Sequence, residues 1–224
     1  MLVWTGKPQL PSSAALESEG FESQALRMKI SEVPFAAIDF ESAGSAPGLT
    51  DEPVQVAIVH WHVESPSVAL NSHIRPSRLV TWAAQQVHGI SDSQLQSAPR
   101  LVDLWPQVRS GLDGRWVVAH GAATEKRFLR AFPFHGFGPW VDTLALSRAI
   151  YPSLPSHALG EVVGTLGLLE KIQFPGFRWH DAASDAFASL VLLRHLIQAS
   201  GVSDEPAEIL TRPNLGAYFE TRRK

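Results

Sequence analysis

The residues of this chain with most chemistry to offer are acids, and the most telling stand in Pro34-Phe-Ala-Ala-Ile-Asp39-Phe-Glu41. An apolar run with strand character ends there in two carboxylates spaced i, i+2, which a strand places on one face. Like charges a few ångströms apart repel unless a cation joins them, so a buried pair of this kind asks for a metal. The same tripeptide also fits a strand running out into a solvated loop. A second acidic group lies in His180-Asp-Ala-Ala-Ser-Asp185, where a helical pattern over 181–199 begins. Ala182, Ala188 and Ser189 share the helix face of Asp185, and such small neighbours let a helix pack closely on a sheet end and present a short carboxylate there. Asp181 and Asp185 equally suit the positive end of a helix dipole. Glu125 shares a face with Phe128, Leu129 and Phe132, so it opens the apolar side of its helix, where an acid needs a partner. The alternative is an N-terminal glutamate favoured by the dipole.

The elements that must position these acids can be read from periodicity. Strand-like runs cover 35–39, 54–63, 68–74, 116–119 and 140–142, with Glu64-Ser-Pro-Ser as a turn between the second and third. Helical spacing covers 82–87, 101–112, 125–132 and 181–199; a further helix is capped by Asp142 or Thr143, and another runs from a Ser156 cap to Leu166. Three antiparallel strands followed by helix–strand alternation predict an α/β domain, a mixed five-stranded sheet flanked by helices. Its limits are set at 33–202, with an N-terminal extension over 1–32 and a C-terminal tail over 203–224. The 224 residues, 45% hydrophobic, suffice for a full core. With no cysteine, disulfides and thiolate ligands are excluded. A net charge of −3 argues against electrostatic coating of duplex DNA. No long apolar run suggests a membrane span, and a cytoplasmic protein is expected.

Residues 34–200, about three quarters of the chain, resemble the DEDD superfamily of 3′–5′ exonucleases in its histidine branch, which includes the proofreading epsilon subunit of bacterial replicative polymerases and ribonuclease T. Asp39-Phe-Glu41-Ser42 matches the first motif, and His180 followed five residues later by Asp185 matches the third. Val87-His88-Gly89-Ile90-Ser91-Asp92 looks like the segment that helps hold the terminal nucleotide. Trp140-Val-Asp-Thr-Leu-Ala-Leu-Ser-Arg148 and Leu154-Pro-Ser-His-Ala-Leu159 resemble connecting stretches. The resemblance implies a ribonuclease H-like fold and metal-dependent release of nucleoside 5′-monophosphates from single-stranded DNA or RNA 3′ ends. It further implies two divalent ions, Mg²⁺ or Mn²⁺, held by Asp39, Glu41, Asp185 and Glu125, with His180 as general base. Phosphodiester hydrolysis needs an activated water, relief of phosphoryl charge and a stabilised leaving alkoxide, and two such ions about 3.5–4 Å apart supply all three. Ser42 and His88 are expected to contact the terminal nucleotide; Lys126, Arg127 and Arg178 are candidate phosphate partners. A DNA polymerase partner and a homodimer are further family-based expectations.

The second motif departs from the family. Where members usually read Ala-His-Asn-x-x-Phe-Asp, this chain has Ala119-His120-Gly121-Ala-Ala-Thr124-Glu125. The acid survives with an added methylene, a shift of roughly 1 Å that can cost about 10²-fold in rate. A nucleic-acid-binding or scaffolding protein that kept the fold and lost hydrolysis is therefore the alternative reading. His60 and His62 share one strand face without an identifiable third ligand.

Overall fold

The structure, a computed structural model, describes residues 28–48, 50–61 and 66–211. Its strands are β1 (Phe35–Ser42), β2 (Pro53–His60), β3 (Ser67–His73), β4 (Trp116–Ala119) and β5 (Trp140–Asp142). Its helices are α1 (Trp82–His88), α2 (Asp92–Leu95), α3 (Trp105–Leu112), α4 (Ala123–Leu129), α5 (Thr143–Ile150), α6 (Leu159–Thr165) and α7 (Ala182–Ser200). The expected mixed sheet forms, in the order β3-β2-β1-β4-β5. Antiparallel pairing joins β3, β2 and β1, whereas β1, β4 and β5 run parallel.

Side-chain alternation divides the core into two layers. Phe35 and Ala37 of β1 pack with Val118, Val141 and the α7 residues Leu190 and Leu193. Ala36, Ile38 and Phe40 turn the other way, onto Val108 and Leu112 of α3 and Phe128 and Leu129 of α4. Helix α7 is the main inner helix. Asp181 caps it by accepting from Ser184 N, and left-handed Gly201 ends it. Ala182 and Ala183 at its start pack on Ala57 of β2, so the small residues do bring the helix close to the sheet.

Three local expectations shift for physical reasons. The helix expected over 101–112 divides into a 3₁₀ turn, Leu101–Leu104, and α3, because Pro106 is tolerated only in a helix's first turn. The helix expected from a Ser156 cap starts at Leu159 instead; Ser156 Oγ accepts from Ala158 N at 3.2 Å in the preceding turn. The domain is also wider than 33–202. Ile30 N donates to Glu205 O, Ser31 N to Ser203 O and Ala207 N to Met28 O. Ile30, Ala207, Ile209 and Leu210 are buried in the α7 layer, so 28–32 and 203–211 belong to the packed unit. The rest of the expected extension and tail, along with His62 and the first half of the 64–67 turn, lies outside the described residues.

Candidate active site

The site grows out of β1. The face that carries Phe35 and Ala37 into the core continues with Asp39 and Glu41, so the strand exchanges apolar side chains for acidic ones without changing direction. Asp39 is in register with Ala57 and Glu41 with Gln55, and the β1–β2 ladder shifts between Glu41 and Ser42. Opposite stands Asp185, one turn into α7. On the side of the parallel neighbour β4, the chain turns through His120-Gly121 into α4 and presents Glu125, buried at 5% exposure.

Burial dominates the electrostatics, and mutual repulsion adds to it. Burial, reinforced by the charges of Glu125, Asp185, Glu41 and Asp181, holds the Asp39 carboxyl well above its usual range. Burial also pushes Glu41 up to about 8, with Asp185 and Asp181 adding to the rise and Arg178 opposing it. For Glu125 burial leads again, to about 7, against a backbone hydrogen bond and with Asp142 adding charge. Asp185 is raised to about 6 by burial, despite accepting from His180 N at 3.2 Å. Ligand atoms of Glu41, His180 and Asp185 lie within 4.8 Å of one another. Among the described residues, Glu125 Oε2 and Asp185 Oδ1 are buried polar atoms without a hydrogen-bond partner. Orphaned oxygens in a crowd of acids fit a hard divalent cation, which takes oxygen ligands and relieves the repulsion.

His180 reaches this group from an unusual backbone. Its φ is +60°, in a region few non-glycine residues enter. In that conformation its N–H reaches Asp185 Oδ2, and its side chain is exposed beside the acids. The loop before it is held by Trp179, whose indole lies 3.5 Å from where a Cβ on Gly160 would stand.

The remaining expected site residues divide. Ser42 follows Glu41 at the ladder irregularity, with its carbonyl turned to His88. His88 is buried and fully occupied: Ile90 N donates to its Nδ1 at 3.0 Å, and its Nε2 donates to Ser42 O at 3.1 Å. Burial lowers its pKa, in keeping with a neutral ring. Its ring nitrogens are thus spent on tying the Gly89-Ile90 turn to the end of β1. His120 is likewise internal, with Nε2 2.8 Å from His157 O and Nδ1 3.0 Å from Thr143 Oγ1.

Several positioning residues escaped sequence reading. Gln55, buried at 3% exposure, accepts from Ala182 N at 3.2 Å and donates to Asp181 Oδ2 and Asn71 Oδ1, each at 3.1 Å. It ties the first turn of α7 to the strand opposite Glu41. Its signal was a lone amide inside Val54-Gln55-Val56, since a buried amide needs partners. Asp142 was expected as a cap, and it does accept from Leu144 N and Ala145 N. Its carboxylate also accepts from Gly121 N at 3.0 Å and Ala122 N at 3.1 Å, fixing the turn into α4. Gly121 has φ +87°, and a Cβ there would lie 3.4 Å from Leu144 Cδ2. Asp51, whose side chain is 11% exposed, pairs with Arg78 at 3.5 Å and Arg127 at 3.2 Å, linking the loop after β1 to α4.

Comparison with known proteins gives this constellation its setting. The sequence matches the exonuclease family (RNase_T) over residues 36–193. The chain belongs to this family. Exodeoxyribonuclease 10 of Escherichia coli K12 is 26% identical to it over 186 residues, 81% of this chain and 77% of that protein. A PolC-type DNA polymerase III of Thermotoga maritima is 30% identical over 159 residues, which span 68% of this chain and 11% of the polymerase. A solved structure of exonuclease X in complex with 5′ overhanging duplex DNA superposes with a TM-score of 0.63 at 24% identity, covering 80% of this chain and 99% of that one. The protein is a DEDD-family 3′–5′ exonuclease with a ribonuclease H-like fold. Among the exonuclease's described residues, no helix is long and apolar enough to cross a membrane.

Proposed function

We propose that the exonuclease shortens single-stranded nucleic acid from its 3′ end and releases nucleoside 5′-monophosphates, using two divalent ions, Mg²⁺ or Mn²⁺, and His180 as general base. The observation that carries this reading is the convergence of Asp39, Glu41, Glu125 and Asp185, all with raised pKa values and two with buried oxygens lacking partners. Those four acids would hold the ions, which when bound supply Lewis acidity toward water and the phosphoryl oxygens. His180, exposed beside Glu41 and Asp185, sets an imidazole where it suits removal of a proton from the attacking water. Its N–H to Asp185 Oδ2 keeps base and carboxylate in step. The water oxygen bonds to phosphorus as the bond to the 3′-oxygen of the penultimate nucleotide breaks, and that oxygen takes up a proton. Ser42 and the Gly89-Ile90 turn held by His88 would bracket the terminal nucleotide.

The names of exodeoxyribonuclease 10 and the exonuclease X complex make DNA the first strand to test. The assay is a gel of 5′-labelled single-stranded DNA and its RNA counterpart with Mn²⁺, Mg²⁺ or EDTA, comparing the unmodified protein with Asp185→Ala. A ladder shortening from the 3′ end and abolished by EDTA and by the substitution is the expected result. The longer acid at Glu125 favours a second reading, binding or scaffolding without turnover. Intact DNA and RNA under every condition, from folded protein, would favour that reading. The polymerase relative motivates copurification with a polymerase, and sedimentation would report a homodimer.

A further inference from the structure

Three cations stand near the acids in sequence, and the fold treats them differently. Lys126 Nζ lies 5.0 Å over the Trp140 ring. Arg127 donates to Asp51 and lies 4.7 Å over Phe128. Both are committed to neighbours. Arg178 is placed by its backbone, whose N–H donates to Ser184 Oγ at 3.3 Å, while its side chain remains 58% exposed. Its Nη1 lies 3.7 Å from where a Cβ on Gly89 would stand, and its Nη2 is 3.6 Å from Asp181 Oδ2. Its charge acts on both Glu41 and His88. The guanidinium therefore spans from the loop before α7 to the His88-Gly89 turn, beside Glu41.

That pairing is easily exchanged. At 3.6 Å and more than half exposed, an ion pair is worth little. Asp181 does not depend on it, because Gln55 Nε2, Ser184 N and Ser184 Oγ already donate to its carboxylate. A nucleic-acid strand approaching Asp39, Glu41, Asp181 and Asp185 meets charge of its own sign, and a rim guanidinium reverses that locally. Its forked N–H donors match phosphate oxygens. Resting on the exonuclease reading of this site, we propose that Arg178 is a substrate-binding residue that exchanges Asp181 for a backbone phosphate of the incoming strand at the mouth of the cleft.

The test compares the unmodified protein with Arg178→Ala and Arg178→Lys, in two arms. Steady-state nucleotide release with Mn²⁺ gives KM and kcat. Equilibrium binding of a fluorescein-labelled oligothymidylate, with Ca²⁺ replacing the catalytic ion, gives Kd at several salt concentrations. Arg178→Ala is expected to raise KM and Kd about 10- to 100-fold, as for loss of a charged hydrogen bond, with kcat within about threefold. Its plot of log Kd against log salt should be shallower by about 0.7, the loss of one single-strand phosphate contact. Arg178→Lys should restore that slope and only part of the affinity, and melting temperatures should agree for all three proteins. Unchanged Kd and slope in Arg178→Ala, or a fall in kcat with KM unmoved, would overturn the proposal. If the unmodified protein binds but does not hydrolyse, the exonuclease reading fails while the binding arm still decides the role of Arg178. Failure of the unmodified protein to bind overturns both.

Discussion

Glu125 reaches the acid cluster with one more methylene than the family's usual aspartate, from a turn shaped by Gly121 and clamped by Asp142. The longer side chain and Gly121 both depart from the family's usual motif, so the two are taken together. Restoring the family residue alone, Glu125→Asp, should therefore impair the enzyme, withdrawing the carboxylate by roughly 1 Å and lowering kcat about 10- to 100-fold. Single-turnover assays with Mn²⁺ would measure it. The raised carboxyls also bear on stability. An acid whose pKa rises on folding takes up protons on folding, so it favours the folded state at low pH and loses that contribution as pH climbs to the folded value. For Glu41 the window runs from 4.5 to about 8, and for Glu125 from 4.5 to about 7. Metal-free protein should thus melt lower at pH 8 than at pH 5, by about 3–10 °C for an effect on the order of 1–3 kcal/mol. Mn²⁺ should remove most of the difference, as should Asp39→Asn with Glu41→Gln in metal-free protein; scanning fluorimetry at several pH values reads all three. The acid motifs were legible because i, i+2 and i, i+3, i+4 spacings are local. The role of His88 was not, since its partner Ser42 is 46 residues away.

At the scale of elements, the sheet was readable from periodicity while its fastening to α7 was not. Gln55 illustrates the difference: its neighbours Val54 and Val56 announce a strand, yet its hydrogen bonds cross to Asp181 and Ala182, more than a hundred residues along the chain. Replacing it with leucine would leave Ala182 N and Asn71 Oδ1 without this partner. The expected cost is about 1–3 kcal/mol by urea denaturation. Because the tie sits one turn before Asp185, kcat should fall as well, and Gln55→Glu should recover little of either, since it sets a new carboxylate beside Asp181. The division of the 101–112 helix was readable in principle, because Pro106 restricts where a helix can begin.

For the whole molecule, the boundaries drawn from composition fell short. Charge and proline made 203–224 look like a tail, but Ala207, Ile209 and Leu210 complete the hydrophobic layer around α7, and Met28 and Ile30 come from the other end of the chain to pair with that segment. A protein ending at Val202 should lose several buried side chains at about 1.5–3 kcal/mol each. Its melting temperature should drop by more than about 10 °C, measured against Ile209→Ala as a milder reference.

The alternation along β1 has a consequence for how the gene tolerates length change. At the end of this short strand Asp39 and Glu41 occupy odd places and the core residues Ile38 and Phe40 even ones, so deleting a single codon between Phe35 and Ile38 would rotate one set into the other's position. Asp39 and Glu41 would then point at Phe128 and Leu129, and Phe40 at the cluster of acids. One missing residue would remove hydrophobic packing and the proposed metal ligands together. In a deletion scan of the chain, β1 should therefore form a block in which no frame-preserving single deletion yields active protein.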